Sequence, residues 1–291
     1  MRTRASKRRR TRRKRQRGGN PYVIVFQPKW GFGNQIIEYC IACAIKKRFN
    51  YEMLILPPLD NIHSANRDYR DLFTRGKKTE KMPDNFMNTS PYIADKNDRP
   101  LNISEIPQGK NIYIDKLGFF YSVIKDIMPE LGNEMHLRLN MLCQDLPFKN
   151  DKTQGFIHVR RGDFVTNGIV KDYKFYNSAI ILANTKTDVK KWKMFSDDIA
   201  WCKNQKWNSP EKIEFVDEPD EVKALAIMSN CFGGAIVSQS SFGWAGAVTG
   251  AYINKGIVIS HSDNKPHTEH GYIGPPDWIY LDDEGNVKEY K

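Results

Sequence analysis

Short apolar runs alternate with longer segments of helical period along most of this chain, and that alternation restricts the fold more than any other feature. Residues 22–26 form a run suited to a buried strand, the glycine-containing turn Trp30-Gly-Phe-Gly-Asn34 follows, and residues 35–49 carry apolar side chains at helical spacing. A second strand over 53–56 is ended by Pro57-Pro58, a third is expected at 111–115, and a helix at 130–146. The later half repeats the pattern more cleanly. Strands are expected at 155–160, 192–196, 213–216, 235–238 and 256–259, with helices at 173–184, 199–206, 220–231 and 242–253 between them. Such alternation implies mostly parallel sheets with right-handed crossovers. Residues 60–110 break the rhythm; polar and rich in Asn, Asp and Pro, they read as loops and short helices, part of an acceptor surface. With a boundary near 149–152, the chain divides into a basic arm (1–19), an N-terminal α/β domain (20–150) and a C-terminal α/β domain with a tail (151–291).

The arm is separated from the rest by its charge. Eleven of the 45 Lys and Arg residues fall within residues 1–17, which contain no acid, so the remaining 34 balance the 34 Asp and Glu residues. The whole net charge of +11 therefore belongs to the arm. A segment this polar cannot bury enough surface to fold alone, and it is expected to be disordered. Nucleic acid, an anionic surface, nuclear import and simple solubilisation are all open to it. No run approaches the roughly 20 apolar residues of a membrane span, and the arm lacks the apolar centre of a signal peptide, which together predict a cytoplasmic protein. The five cysteines, Cys40, Cys43, Cys143, Cys202 and Cys231, are odd in number and scattered, against a disulfide framework. Cys40 and Cys43 lie in a helical apolar pattern, where buried small side chains are expected rather than a metal or redox pair. Asn88 and Asn102 head glycosylation tripeptides that matter only in a secreted protein.

Three expected strand ends in the later half carry polar groups suited to a nucleotide diphosphate. The first is His158-Val-Arg-Arg-Gly-Asp163. A guanidinium offers a planar fork of donors to phosphate or carboxylate, and strand-end loops are where open α/β sheets bind ligands. Alternation sends His158 and Arg160 to one side and Arg161 to the other, so Arg160 is expected to face a ligand and Arg161 to support it. The competing reading is a surface ion pair of Arg161 with Asp163 across Gly162; an adhesion tripeptide is a poorer one. The second end, Phe195-Ser-Asp-Asp198, offers carboxylates to a base edge or a ribose hydroxyl, or else starts a helix or holds a metal. The third, Ser238-Gln-Ser-Ser-Phe-Gly-Trp244, places hydroxyls and N–H groups before a helix, where phosphate binding competes with capping by Ser240 or Ser241.

The ordered set Gly31-Phe-Gly-Asn-Gln35, Gly118-Phe-Phe, His158-Val-Arg-Arg-Gly-Asp163, Phe195-Ser-Asp-Asp198 and Ser240-Ser-Phe-Gly-Trp244 resembles the α-1,2-fucosyltransferases of glycosyltransferase family 11. The resemblance implies a GT-B-like α/β fold, two Rossmann-type domains facing each other across a cleft. It implies inverting transfer of fucose from GDP-fucose to a galactose-containing glycan, with no cofactor and no metal. By the same resemblance Arg160 contacts the donor pyrophosphate and, with Asn34, serves catalysis. His158 and an aspartate of the Asp197–Asp198 pair touch the nucleoside, while Ser240 and Ser241 touch the phosphates. Arg161 and Asp163 complete the motif, and Gly31 and Gly33 bring the first domain to the donor.

The departures fall around the motifs. The family usually has Asn-Ser-Ser-Phe-Ser-Trp-Trp where this chain has Gln239-Ser-Ser-Phe-Gly-Trp-Ala245, and Met-Phe-Gln where it has Ile36-Ile37-Glu38. Tyr121 stands where Gln is common. These leave donor use intact and open the question of acceptor. His261, His267, Glu269 and His270 lie in what reads as a solvated loop, with acceptor contact and metal binding as alternatives. Two rival classes stay open: an inactive glycan-binding or scaffold protein of the same fold, and a nucleic-acid-associated protein acting through the arm.

Overall fold

The computed structural model describes residues 21–59, 67–96, 103–117, 121–147, 150–264 and 274–289. The basic arm, Gly118-Phe-Phe, Asn102, and His267, Glu269 and His270 lie outside the described residues. Two sheets organise the rest. The first contains β1 (Val23–Phe26), β2 (Glu52–Ile55), β3 (Lys77–Lys78), β4 (Tyr92–Lys96) and β5 (Ile112–Leu117), all parallel, in the order β3-β2-β1-β5-β4. The second contains β6 (Gln154–Val159), β7 (Lys191–Ser196), β8 (Ile213–Phe215), β9 (Gly234–Val237), β10 (Ile257–His261), β11 (Ile279–Leu281) and β12 (Val287–Lys288). Its order is β12-β11-β10-β9-β6-β7-β8, parallel except for the antiparallel β11–β12 pair. Counted from β6, that is the three-two-one-four-five-six order of a dinucleotide-binding Rossmann sheet. The order reverses between β6 and β9, and a crevice opens outside the carboxyl ends of those two strands. This is the GT-B-like α/β architecture that the motif resemblance implies.

The helices are α1 (Phe32–Phe49), α2 (Tyr121–Ile124), α3 (Met128–Leu142), α4 (Gly162–Thr166), α5 (Tyr173–Lys186), α6 (Ile199–Lys203), α7 (Glu221–Ser229) and α8 (Ser241–Thr249). Three expectations from the sequence are corrected. Residues 60–110 are not only loops and short helices: β3 and β4 lie there, and β4 pairs with β5 along its length. Their alternation was masked by Lys77-Lys78 and by the charged side chains of β4. The chain beyond 259 is not merely a tail either, because β11 and β12 extend the second sheet. Helix α8 also stops at Thr249, short of 253, since Gly250 turns the chain away before a 3₁₀ turn at Tyr252–Asn254.

Helices α1 and α8 carry little amphipathic signal because both are interior. Helix α1 is buried from Gln35 through Ile45, and α8 from Gly243 through Thr249. Cys40 and Cys43 sit on α1 as buried small side chains, and burial pushes the Cys43 thiol up to about 12. Close approach around α8 depends on glycine. A Cβ on Gly132 of α3 would stand 2.7 Å from the Val248 carbonyl oxygen, and one on Gly246 would stand 2.9 Å from Met228 Sδ. One apolar core therefore runs from Ile24 and Phe32 of the first half through Leu131 and Leu139 of α3 to Ala245 and Val248 of the second. A separate cluster, with Phe175, Tyr176 and Trp192, fills the space between α5 and the second sheet. Polar contacts follow the seam between the halves: Tyr121 Oη to Tyr252 Oη at 2.8 Å, Arg67 to Asp220 at 3.4 Å, and Tyr69 to Glu221. No helix among the described residues is long and apolar enough to cross a membrane.

The loop from β1 to α1 is pinned from below by two buried side chains of α1. Gln35 Nε2 donates to the Trp30 carbonyl at 2.9 Å, and Glu38 Oε2 accepts from the Lys29 N–H at 3.3 Å. Burial, opposed by that N–H and by the Lys29 charge, pushes the Glu38 carboxyl from 4.5 up to about 8. The folded chain thus keeps a proton that the unfolded chain releases above pH 4.5 or so. Stability from this group is complete at acid pH and is lost as pH rises toward 8. Glu38→Gln is expected to gain on the wild type in urea unfolding between pH 5 and pH 8, on the order of a few kcal/mol; a pH-independent difference would contradict the burial argument.

Just beyond, Gly33 meets the other half of the molecule. A Cβ there would lie 2.4 Å from the Phe242 nitrogen and 2.5 Å from the Ser241 carbonyl carbon, and backbone cannot rotate aside. Ala would gain about 1 kcal/mol of helix propensity in α1 but incur an overpacking cost of about 1–3 kcal/mol. Gly33→Ala is therefore expected to lower the urea midpoint, and an unchanged or raised midpoint would show that the halves can part at this seam without cost.

Candidate active site

At the reversal between β6 and β9 lies a cleft of about 480 Å³, within the usual range for a small-molecule site. The first half contributes Trp30, Gly31, Phe32, Gly33 and Asn34; the second contributes His158, Arg160, Asp163, Asp197, Ser240 and Ser241. The structure thus brings together most of the residues singled out from sequence. Arg161 and Asp198 are not among those that line it.

Arg160 leaves the end of β6 and is one-third exposed. One of its terminal nitrogens donates to Asp163 Oδ1 at 2.6 Å and the other pairs with Asp197 Oδ2 at 2.9 Å, while its Cζ lies 5.6 Å from the Phe164 ring centroid. A guanidinium has five N–H donors, so two carboxylates hold it in place without exhausting it. Asp197 also accepts from the Arg161 N–H at 2.8 Å, tying the ends of β6 and β7 together. A Cβ on Gly162 would come 2.5 Å from Asp197 Oδ2, so glycine is what admits that carboxylate.

Arg161 turns the other way. Its Nε donates to Asp198 Oδ2 at 3.1 Å and its Cζ lies 3.9 Å from the Trp201 ring centroid, so it packs under the site rather than in it. Asp198 in turn caps α6, accepting from the Trp201 N–H at 3.0 Å, and these contacts hold its carboxyl below the usual range. The Arg161–Asp163 surface pair considered from sequence is not formed; each residue takes a different partner. The Arg161-Gly162-Asp163 tripeptide opens α4 and is not a displayed loop.

His158 is buried, and its ring meets Phe242 edge-on at 5.5 Å. Burial first and the Arg160 charge second lower its pKa to about 3, so the imidazole is neutral at physiological pH. Its Nδ1 has no hydrogen-bond partner. A Cβ on Gly243 would stand 2.9 Å from that nitrogen, so α8 can lie this close to β6 only with glycine at that position. Ser240 occupies the N-cap position of α8 without a side-chain capping bond, so the capping alternative is not what its hydroxyl does. The cap is buried and borders the cleft, beside first-turn N–H groups that helix geometry leaves without intrahelical partners. The segment after α4 is fastened by Gln239 Nε2 to the Ile169 carbonyl at 3.0 Å and by buried Lys171 to Asp263 at 2.6 Å. His261, read from sequence as part of a solvated loop, is instead the buried last residue of β10, with Nε2 3.1 Å from Asp283 Oδ1.

Sequence reasoning missed one wall of the cleft, the β8–α7 loop with Val216, Asp217, Glu218 and Pro219. Its signal was available: a strand followed by an acidic, proline-containing turn, which a parallel sheet delivers to the same edge as the other strand ends. Among the described residues, Asp163, Asp197, Asp217, Glu218 and Glu221 stand in the lining with Arg160 as the one strong base. Among the described residues of the lining, Arg160 and the α8 N-terminus are the groups suited to an anion, and the carboxylates suit hydroxyl and N–H donors. Among the described residues no group of three His, Cys, Asp or Glu side chains is placed to hold a metal ion.

Known proteins resemble this chain over most of its length. The model of the family described as glycosyl transferase family 11 matches residues 13–282. The chain is 23% identical over 284 residues to the Escherichia coli O-antigen biosynthesis glycosyltransferase WbnK, an alignment covering 79% of this chain and 91% of that protein. It is 30% identical over 114 residues to an Escherichia coli alpha-1,2-colitosyltransferase, covering 36% of this chain and 38% of the other. Among solved structures, POFUT1 in complex with GDP-fucose aligns at a TM-score of 0.49 and 10% identity, over 80% of this chain and 96% of that one. A glycosyl transferase family 9 protein from Veillonella parvula aligns at 0.47 and 12%, over 90% and 87%. With the family model matching residues 13–282, from the arm to the strand before the last, the chain belongs to glycosyltransferase family 11.

Proposed function

We propose that this protein transfers L-fucose from GDP-fucose to a glycan hydroxyl, the 2-OH of galactose, with inversion at the anomeric carbon and without a metal ion. The observation that carries the reading is the placement of Arg160 beside the N-terminus of α8, with Ser240 and Ser241, at the reversal point of the second sheet. A diphosphate has two anionic groups to satisfy, and these are the two anion-binding features of the cleft. The family supports sugar transfer, and the alpha-1,2 linkage named for the colitosyltransferase relative supports the position on the acceptor.

The chemistry follows from charge. The acceptor oxygen attacks C1 of the sugar as the bond from C1 to the β-phosphate oxygen breaks; the electron pair leaves with GDP, and the acceptor hydroxyl's proton is released to water, so that the net products are GDP, the glycoside and one proton. Negative charge grows on the departing phosphate, so a fixed guanidinium at that oxygen stabilises the transition state more than the ground state. Asp163 and Asp197 hold Arg160 in advance, so little reorganisation is left for the reaction itself. Asn34 lines the same cleft from the first half. His158, neutral and with a pKa near 3, is a poor proton acceptor; its assigned work is contact with the nucleoside.

Arg160→Ala is expected to cost about 10²–10³ in turnover with labelled GDP-fucose and a galactose-terminated acceptor, and Arg160→Lys to be severely impaired because it lacks the fork. Near wild-type turnover in the Lys variant would remove Arg160 from this role. Transfer is expected to persist in EDTA and to be absent with other GDP-sugars; strict dependence on an added divalent cation would overturn the metal-independent part of the reading.

A further inference from the structure

Trp30 combines three properties that rarely occur together. Its backbone is in the left-handed region at φ 66°, its side chain is 44% exposed, and it borders the cleft. Positive φ in a bulky residue is a true outlier, costing roughly 1–3 kcal/mol that glycine would avoid. Burial does not compensate for it, since nearly half of the residue faces solvent. Instead the fold fixes the conformation from beneath. Gln35, fully buried, donates to the Trp30 carbonyl, and its own Oε1 is left without a hydrogen-bond partner. Glu38, also buried, holds the preceding N–H. A strained conformation, secured by two buried polar side chains, at an aromatic residue that is nearly half exposed and borders the cleft is suited to a binding role.

We infer that the Trp30 indole is the platform on which the acceptor sugar ring stacks; this rests on the fucosyl-transfer reading above. In an inverting displacement the acceptor oxygen approaches C1 from the side opposite the departing phosphate. The phosphate-binding groups, Arg160, Ser240 and Ser241, all belong to the second half, so the acceptor is brought in from the first-half side, where Trp30 stands. The apolar C–H face of a galactose ring matches a flat indole, while the acidic lining opposite accepts from its hydroxyls. Phe195, Val216 and Pro219 line the second-half side of the cleft, which leaves that side for the nucleoside.

The test labels the protein with fluorotryptophan and assigns the Trp30 resonance by its loss in Trp30→Phe. With GDP present, titration of a galactose-terminated oligosaccharide is expected to shift the Trp30 resonance. Trp30→Gly, which relieves the backbone, is expected to raise the acceptor KM about tenfold or more while the calorimetric Kd for GDP stays within twofold of wild type; Trp30→Phe is expected to recover part of the loss. A Trp30 resonance indifferent to the oligosaccharide, or a Trp30→Gly defect confined to GDP binding, would overturn the inference. Failure of the wild type to bind GDP at all would instead overturn the donor reading, and the oligosaccharide titration would still decide the role of Trp30.

Discussion

The backbone of Gly33 resting on the backbone of Ser241 and Phe242 is the contact on which the rest of the site depends. It joins the first turn of α1 to the first turn of α8, and both helix starts border the cleft. Stacking of Phe32 on Tyr69 at 4.0 Å and its tilted contact with Phe242 at 6.2 Å extend the same seam, and the apolar core continues behind it. Two parallel sheets joined only by polar contacts would be expected to move against each other. Here the seam is built as an interior, so the distance between Asn34 and the groups on β6 and α8 is set by packing.

Electrostatics within that frame are economical. One arginine is held by two carboxylates, and a second arginine, Arg161, is placed under it against Trp201 and Asp198. The five carboxylates of the described lining disfavour an anion near them, which leaves the guanidinium and the helix start as the places suited to one. The neutral His158 fits this arrangement, since a second cation beside Arg160 would be destabilised by both burial and like charge.

Much of this was legible in the residues. Strands with pure apolar runs, such as those at Val23–Phe26 and Gly234–Val237, were placed within a residue or two, because burial on both faces leaves an unmistakable pattern. The difference between Arg160 and Arg161 followed from strand alternation alone. What escaped was non-local. The edge strands at Lys77–Lys78 and Val287–Lys288 are two residues long and exposed, with no periodicity to detect. The acidic loop at Val216–Pro219 carries no motif, and only the strand order shows that it closes the cleft. The unusual conformation of Trp30 has no signature in the sequence at all, since it is imposed by Gln35 and Glu38 several residues later.

Whether the cleft at the β6–β9 reversal holds the diphosphate of a GDP-sugar between Arg160 and the start of α8 is decided by a crystal structure of the protein with GDP. Phosphate oxygens are expected within hydrogen-bond distance of the Arg160 guanidinium and of Ser240 or Ser241, with Asp163 and Asp197 still bracing the arginine. A diphosphate bound elsewhere, with Arg160 contacting only its two carboxylates, would contradict this placement.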